Sequence, residues 1–193
     1  MGTADERTAR LFVAVPLPES VLPFVVRAQG LLPHTGGLRL VERTRLHCTL
    51  AFIGRADSRM LEAARQVVSG VAGSSGGEAV LEGFLFLPSP RRARVVALGI
   101  DDDQGVFGRL FETVMSGLET SGVMQREKRP FRPHMTVARL RVPGPVQPTS
   151  DCGRAGFGVE SVCLYESELR RQGAVHTLLV RSDLQRAHGQ EKA

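Results

Sequence analysis

Two tetrapeptides of one type constrain this 193-residue chain more than any other feature: His47-Cys48-Thr49-Leu50 and His134-Met135-Thr136-Val137, 87 residues apart. Both read His-x-Thr-x with apolar x. Each lies in a run of β character, Leu46 to Ile53 ending at Gly54 and His134 to Leu140 bounded by Pro133 and Pro143. Successive side chains in a strand point to opposite faces, so each imidazole shares a face with its hydroxyl while Cys48, Leu50, Met135 and Val137 point the other way. The chain must therefore build two half-buried strands, each with a polar face and a core face.

The flanking sequence supplies the core as strands and helices in alternation. Leu11 to Val15 reads as a strand stopped by Pro16 and Pro18, and Glu19 to Leu32 as a helix with Pro23 in its first turn. Leu38 to Val41 follows the Gly36-Gly37 break. Asp57 or Ser58 is placed to cap a helix reaching Val68, and Gly70 to Gly77 is a Gly/Ser loop. Ala79 to Leu87 and Arg94 to Ile100 read as strands around Pro88-Ser89-Pro90, and Asp101 to Asp103 cap a helix from Gln104 to Thr120. After a loop from Pro143 to Pro148, the runs Gly158 to Tyr165 and Val175 to Val180 close the chain as two strands. The strand, helix, strand order occurs twice, once with each tetrapeptide. The expected fold class is α+β with antiparallel sheets and helices on one side, a single domain over 1–193 with flexible tails at about 1–9 and 185–193.

Composition excludes several classes. The chain is 42% hydrophobic and 23% charged, a globular balance. No stretch approaches the ~18 apolar residues of a membrane helix. Met1 to Arg10 is charged, without the apolar core of a secretory signal. Cys48, Cys152 and Cys163 are odd in number and widely spaced, which suits a reducing cytoplasm. The net charge is +5, and Lys occurs only at 128 and 192, so 23 of the 25 Lys and Arg side chains are Arg, whose planar fork matches phosphate oxygens. Codon bias toward Arg accounts for that excess equally well.

The residue types define a chemistry. Two histidines near their ordinary pKa share acid and base duties at neutral pH, each role contributing about 10²- to 10⁴-fold in rate. Two threonine hydroxyls beside them hydrogen-bond non-bridging phosphate oxygens, and in-line displacement at phosphorus needs a base on one side and an acid on the other. A zinc site from His47, Cys48, His134 and Cys163 satisfies residue type only, because alternation turns Cys48 away from His47.

These motifs resemble the 2H phosphoesterase superfamily, specifically its RNA 2′,3′-cyclic phosphodiesterase branch, long called 2′-5′ RNA ligase. Arg10-Leu11-Phe12-Val13-Ala14-Val15 resembles the opening strand of that family, and Leu46 to Gly54 its first motif with trailing Phe and Gly. Arg132-Pro133-His134-Met135-Thr136-Val137-Ala138-Arg139 resembles the second motif, and Leu164-Tyr165-Glu166-Ser167 the closing strand. The resemblance implies a bilobal fold, two pseudo-symmetric lobes each with an antiparallel sheet and flanking helices around a central cleft. It implies hydrolysis of an RNA 2′,3′-cyclic phosphate end to a 2′-phosphate, with His47 as proton donor, His134 as proton acceptor, and Thr49, Thr136 and Arg139 binding the phosphate. It implies neither metal nor cofactor, RNA ends or cyclic nucleotides as partners, and no protein partner or membrane. Ligation through a 2′-5′ bond is the same chemistry reversed; a non-catalytic RNA-end-binding module is the alternative from another class.

Some residues depart from the pattern. Cys48 replaces a usual aliphatic on the core face. His176 stands where an aromatic is common on the last strand, and packing is its expected role, a third imidazole near the cleft the alternative. Strict alternation puts Arg139 opposite His134, so its reach into the cleft needs a strand end or a bulge. Arg126 to Arg132 with Phe131 reads as a single-strand contact combining charge and stacking. Arg91-Arg92-Ala93-Arg94 is a loop suited equally to RNA backbone or solvent. Phe52 and Phe84 are candidates to stack on a terminal base, with a core role the commoner fate of Phe. His34 and His188 are expected in solvent.

Overall fold

A computed structural model describes residues 9–34, 37–126, 129–170 and 173–186. In chain order the elements are β1 (Ala9–Pro16), α1 (Leu22–Gly30), β2 (Leu38–Leu40), β3 (His47–Ala56), α2 (Ser58–Ser69), β4 (Gly77–Leu87), β5 (Ala93–Asp101), α3 (Val106–Thr120), β6 (His134–Gly144), β7 (Arg154–Val159), β8 (Ser161–Arg170) and β9 (Gly173–Asp183). The fold is α+β. The strands form one antiparallel sheet in the order β7-β4-β5-β6-β3-β1-β8-β9, with β2 added on β6. At its middle β3 meets β6 through a single register pair, Cys48 with Met135. Leaving aside β2, four strands extend to either side of that seam.

The local signals account for the helices. Asp57 caps α2, its side chain accepting from the Met60 amide at 2.8 Å. Asp102 receives the Phe107 and Gly108 amides at 3.0 and 2.9 Å, so the acidic run caps α3, which begins at Val106, after Gly105 in the left-handed region. Val68 of α2 and Val114 and Leu118 of α3 are fully buried with Leu11, Val13, Leu98, Met135 and Val137. The two helices touch closely: a Cβ at Gly117 would lie 2.8 Å from Val67 Cγ1.

Three expectations change. The run Gly158 to Tyr165 is two strands, divided at Glu160, because β7 pairs with β4 while β8 pairs with β1 on the far side of the sheet. Pro143 lies within β6; no β5 partner pairs between Arg139 and Gly144, so its missing N–H costs no ladder bond there. Ala9 is already buried in β1 and Gln185 bridges to Ser75, so both are tied down, and Arg186 is exposed; positions 1–8 and 187–193 of the two expected tails (His188 among them), with the residues at 127 and 128, fall outside the described residues.

Candidate active site

The seam pair builds the site. Around Cys48 and Met135, both buried, the antiparallel register sets His47 across from Thr136 and Thr49 across from His134. All four line one cavity of about 440 Å³ together with Arg139 and His176.

Each motif strand then slips by one residue. On β3, Thr49 pairs with Ala14 and Ala51 with Val13, leaving Leu50 as an extra residue. On β6, Thr136 pairs with Ala97 and Ala138 with Val96, leaving Val137 extra. Leu50 and Ala51 are both buried, as are Val137 and Ala138, so alternation inverts and the residue five beyond each histidine returns to the cleft face. That residue is Arg139 in one motif and Phe52 in the other. The bulge Arg139 requires is present, and Arg139 lines the cavity. The Gln29 side chain from α1 secures it, donating to Val137 O at 2.9 Å and to Val41 O at 2.8 Å.

The histidines differ in surroundings. His134 Nδ1 lies 2.8 Å from the Arg132 carbonyl, which can only accept, so Nδ1 donates and Nε2 is the ring nitrogen left for the cleft. The backbone of Arg45, the residue two before it, likewise favours the charged form of His47. Its ring stacks on Phe12 with centroids 4.9 Å apart, and His176 stands edge-on at 5.5 Å. Burial first, then His176 and Arg139, hold its pKa down at about 4, against the hydrogen bond to Arg45. His176 is likewise lowered, by burial and by Arg45 and Arg139. It packs on Phe12 at 4.8 Å and also lines the cavity, so it serves the cleft as well as the packing expected of it.

Sequence reasoning missed Arg39, Glu42 and Arg45, which line the same cavity. Arg45 reaches Glu42 at 3.2 Å and the Ala174 carbonyl at 3.2 Å, while its Nε is buried without a partner. It crosses over Gly173, where a Cβ would lie 2.8 Å from Nη1 and φ is +127°. The sequence held one clue: an Arg stands two residues before each motif histidine, at 45 and 132.

A second cavity of about 420 Å³ opens at the other end of the seam and shares Thr49 and His134 with the first. Phe52, Leu87, Phe111 and Phe131 make it apolar, and Arg129 and Arg132 stand among its lining. Phe52 is 54% exposed. The 126 to 132 stretch corrects the sequence reading in part. Arg126 is held by Glu112 and Glu119, and Phe131 stacks on Phe111 at 4.2 Å, so both are committed within the protein. Phe84 packs beside Phe86, and Arg91, Arg92 and Arg94 line neither cavity. His34 is exposed, as expected. Cys48 and Cys163 are buried, and among the described residues no group of three or more His, Cys, Asp or Glu is arranged to hold a metal ion. No described helix is long and apolar enough to cross a membrane.

Two imidazoles, two hydroxyls and a guanidinium in one cleft place the chain in a class of antiparallel α+β proteins whose paired His-x-Thr-x strands face a common cavity. Comparison with known proteins makes this specific. The sequence model of the 2′-5′ RNA ligase superfamily matches residues 17–168, and the chain belongs to that family. It is 32% identical to the RNA 2′,3′-cyclic phosphodiesterase of Thermus thermophilus, the alignment covering 95% of this chain and 94% of that protein. The crystal structure of TT0787 of Thermus thermophilus superposes with a TM-score of 0.81 at 31% identity, over 93% of this chain and all of that one. Escherichia coli LigT complexed with 3′-AMP superposes at 0.73 and 27% identity, over 92% and 99% of the two chains.

Proposed function

We propose that this protein hydrolyses RNA 2′,3′-cyclic phosphate ends to 2′-phosphomonoesters through its two histidines, without a metal. The observation that carries this reading is the pair of equivalent bulged strands that turn His47, Thr49, His134, Thr136 and Arg139 to one cleft. The names of the relatives and the 3′-AMP bound to LigT support the substrate class.

The cyclic phosphate sits between the rings, its non-bridging oxygens on the Thr49 and Thr136 hydroxyls and its charge against Arg139. A water in line with the P–O3′ bond gives its proton to His134 Nε2 as its oxygen bonds phosphorus. The P–O3′ bond breaks, and O3′ takes a proton from His47, leaving a 2′-phosphate and a 3′-hydroxyl. His47 is neutral near pH 7 in the empty cleft, so as donor it acquires its proton with the bound phosphate, whose negative charge opposes burial and Arg139. The four strands on either side of the seam are read as two pseudo-symmetric lobes contributing one motif each. Buried, unpaired Cys48 and Cys163 support a reducing cytoplasmic setting.

Phosphorus NMR of a nucleoside 2′,3′-cyclic phosphate incubated in excess chelator tests the reading: a 2′-phosphomonoester is the expected product. His47→Ala and His134→Ala should each lower turnover by about 10²-fold or more. Activity surviving both single changes, or vanishing with chelator, sinks it. The family name favours asking about ligation too, and hydrolysis should outrun joining to a 5′-hydroxyl end on the same RNA.

A further inference from the structure

We propose that the Arg39 end of the cleft is a subsite for a second phosphate, the phosphodiester on the 5′ side of the terminal nucleotide, with Arg39 as its ligand. This rests on the reading above and names the substrate as an oligonucleotide end rather than a cyclic mononucleotide.

The first observation is electrostatic. Arg39 on β2 pairs in register with Arg139 on β6, so two arginines are cross-strand partners and both line the cavity. Among the described residues neither has a carboxylate partner, whereas neighbouring Arg45 has Glu42. Like charges directly opposite destabilise a sheet unless an anion joins them. Arg39, Arg45 and Arg139 against Glu42 leave two positive charges facing the cavity. A cyclic phosphate diester carries one negative charge, so one guanidinium is in excess of what the reacting group neutralises.

The second observation is directional. In a 2′,3′-cyclic nucleotide the base leaves the ribose at C1′, beside C2′, and the 5′ carbon leaves at C4′, beside C3′. Base and 5′ phosphate therefore diverge to opposite ends of any cleft that grips the cyclic phosphate at its middle. The leaving O3′ is on the C4′ side and belongs beside the proton donor. His47 lines the Arg39 cavity alone, whereas His134 stands between the two and lines both that cavity and the Phe52 cavity with its apolar rings. The 5′ side of the sugar then falls at the Arg39 end and the base at the Phe52 end.

The test compares wild type and Arg39→Gln on uridine 2′,3′-cyclic phosphate and on a dinucleotide ending in the same group. On the dinucleotide the variant should lose about tenfold or more in kcat/KM, mainly through KM, as befits one charge-assisted contact. Its salt slope on that substrate should flatten by about 0.7, the share of one single-strand phosphate. The mononucleotide should change by less than about twofold, and thermal stability should hold or rise because a like charge is removed. An equal loss on both substrates overturns the proposal, placing the surplus charge on the reacting phosphorus instead. No loss on either overturns it as well. If wild type turns over neither substrate, the hydrolytic reading fails, and calorimetry still decides this one. A dinucleotide 2′-phosphate should bind more tightly than uridine 2′-phosphate, the advantage vanishing in Arg39→Gln; equal affinities in wild type overturn the subsite.

Discussion

At the residue scale the site turns on how differently two similar histidines are held. His47 has its pKa lowered to about 4 chiefly by burial, while an unfolded chain protonates near 6.5. Between those values the unfolded state binds more protons, so stability falls as pH falls through that window, by at most about 3 kcal/mol from this group. Urea midpoints from pH 7 to pH 4 should show that loss, and His47→Gln should flatten it. The His47 ring signal in NMR should titrate near 4 in the empty protein and higher with inorganic phosphate bound; a midpoint at 6.5 without phosphate contradicts the buried setting. His47, Thr49, His134 and Thr136 were legible because alternation is a local rule. Arg39 and Arg45 were not, since Arg39 reaches the cleft through a strand paired 100 residues along the chain and Arg45 is held there by the Ala174 carbonyl, while His176 was legible only as the alternative to packing.

At the element scale the bulges matter most. Strict alternation would send Arg139 into the core and Phe52 with it. The sequence showed that Arg139 needed an irregularity but not where, because the extra residues, Leu50 and Val137, are defined by the partners they fail to meet on β1 and β5. Gln29 is the device that holds one of them, buried and bonded to the Val137 and Val41 carbonyls. Replacing it with Leu should cost about 1–3 kcal/mol, since the Val41 carbonyl loses this donor and Val137 O keeps only the Val41 amide. If the bulge loosens as well, kcat/KM should fall while the mutant remains folded, measured by circular dichroism beside kinetics. A variant as stable and active as wild type removes Gln29 from this role. The split of Gly158 to Tyr165 into β7 and β8 has a similar origin: one continuous β run serves two partners on opposite sides of the sheet.

At the scale of the whole molecule, four strands lie on either side of one Cys48–Met135 pair, β2 is added on β6, and helices brace the junction. α2 packs on β8 and β9, α3 packs on β3 and β4, and the two helices meet where Gly117 faces Val67. Val67 is β-branched and stiff, so Gly117→Ala should overpack this contact by about 1–3 kcal/mol, read as a drop in melting temperature of about 2–4 °C per kcal/mol. An unchanged melting temperature means the helices have room to part. The Arg-rich balance finds its place at this scale too. Most arginines line neither cavity, while Arg39, Arg45 and Arg139 share one and Arg129 and Arg132 the other. By itself the sequence determined two polar-faced strands, their helices and the four side chains that share a face, because periodicity and capping act over a few residues. Only the tertiary structure decided that the two strands meet at a single pair, that both slip at the same place, and that Arg39 stands beside Arg139. Those are pairings between distant segments, set by which register lets the whole core close.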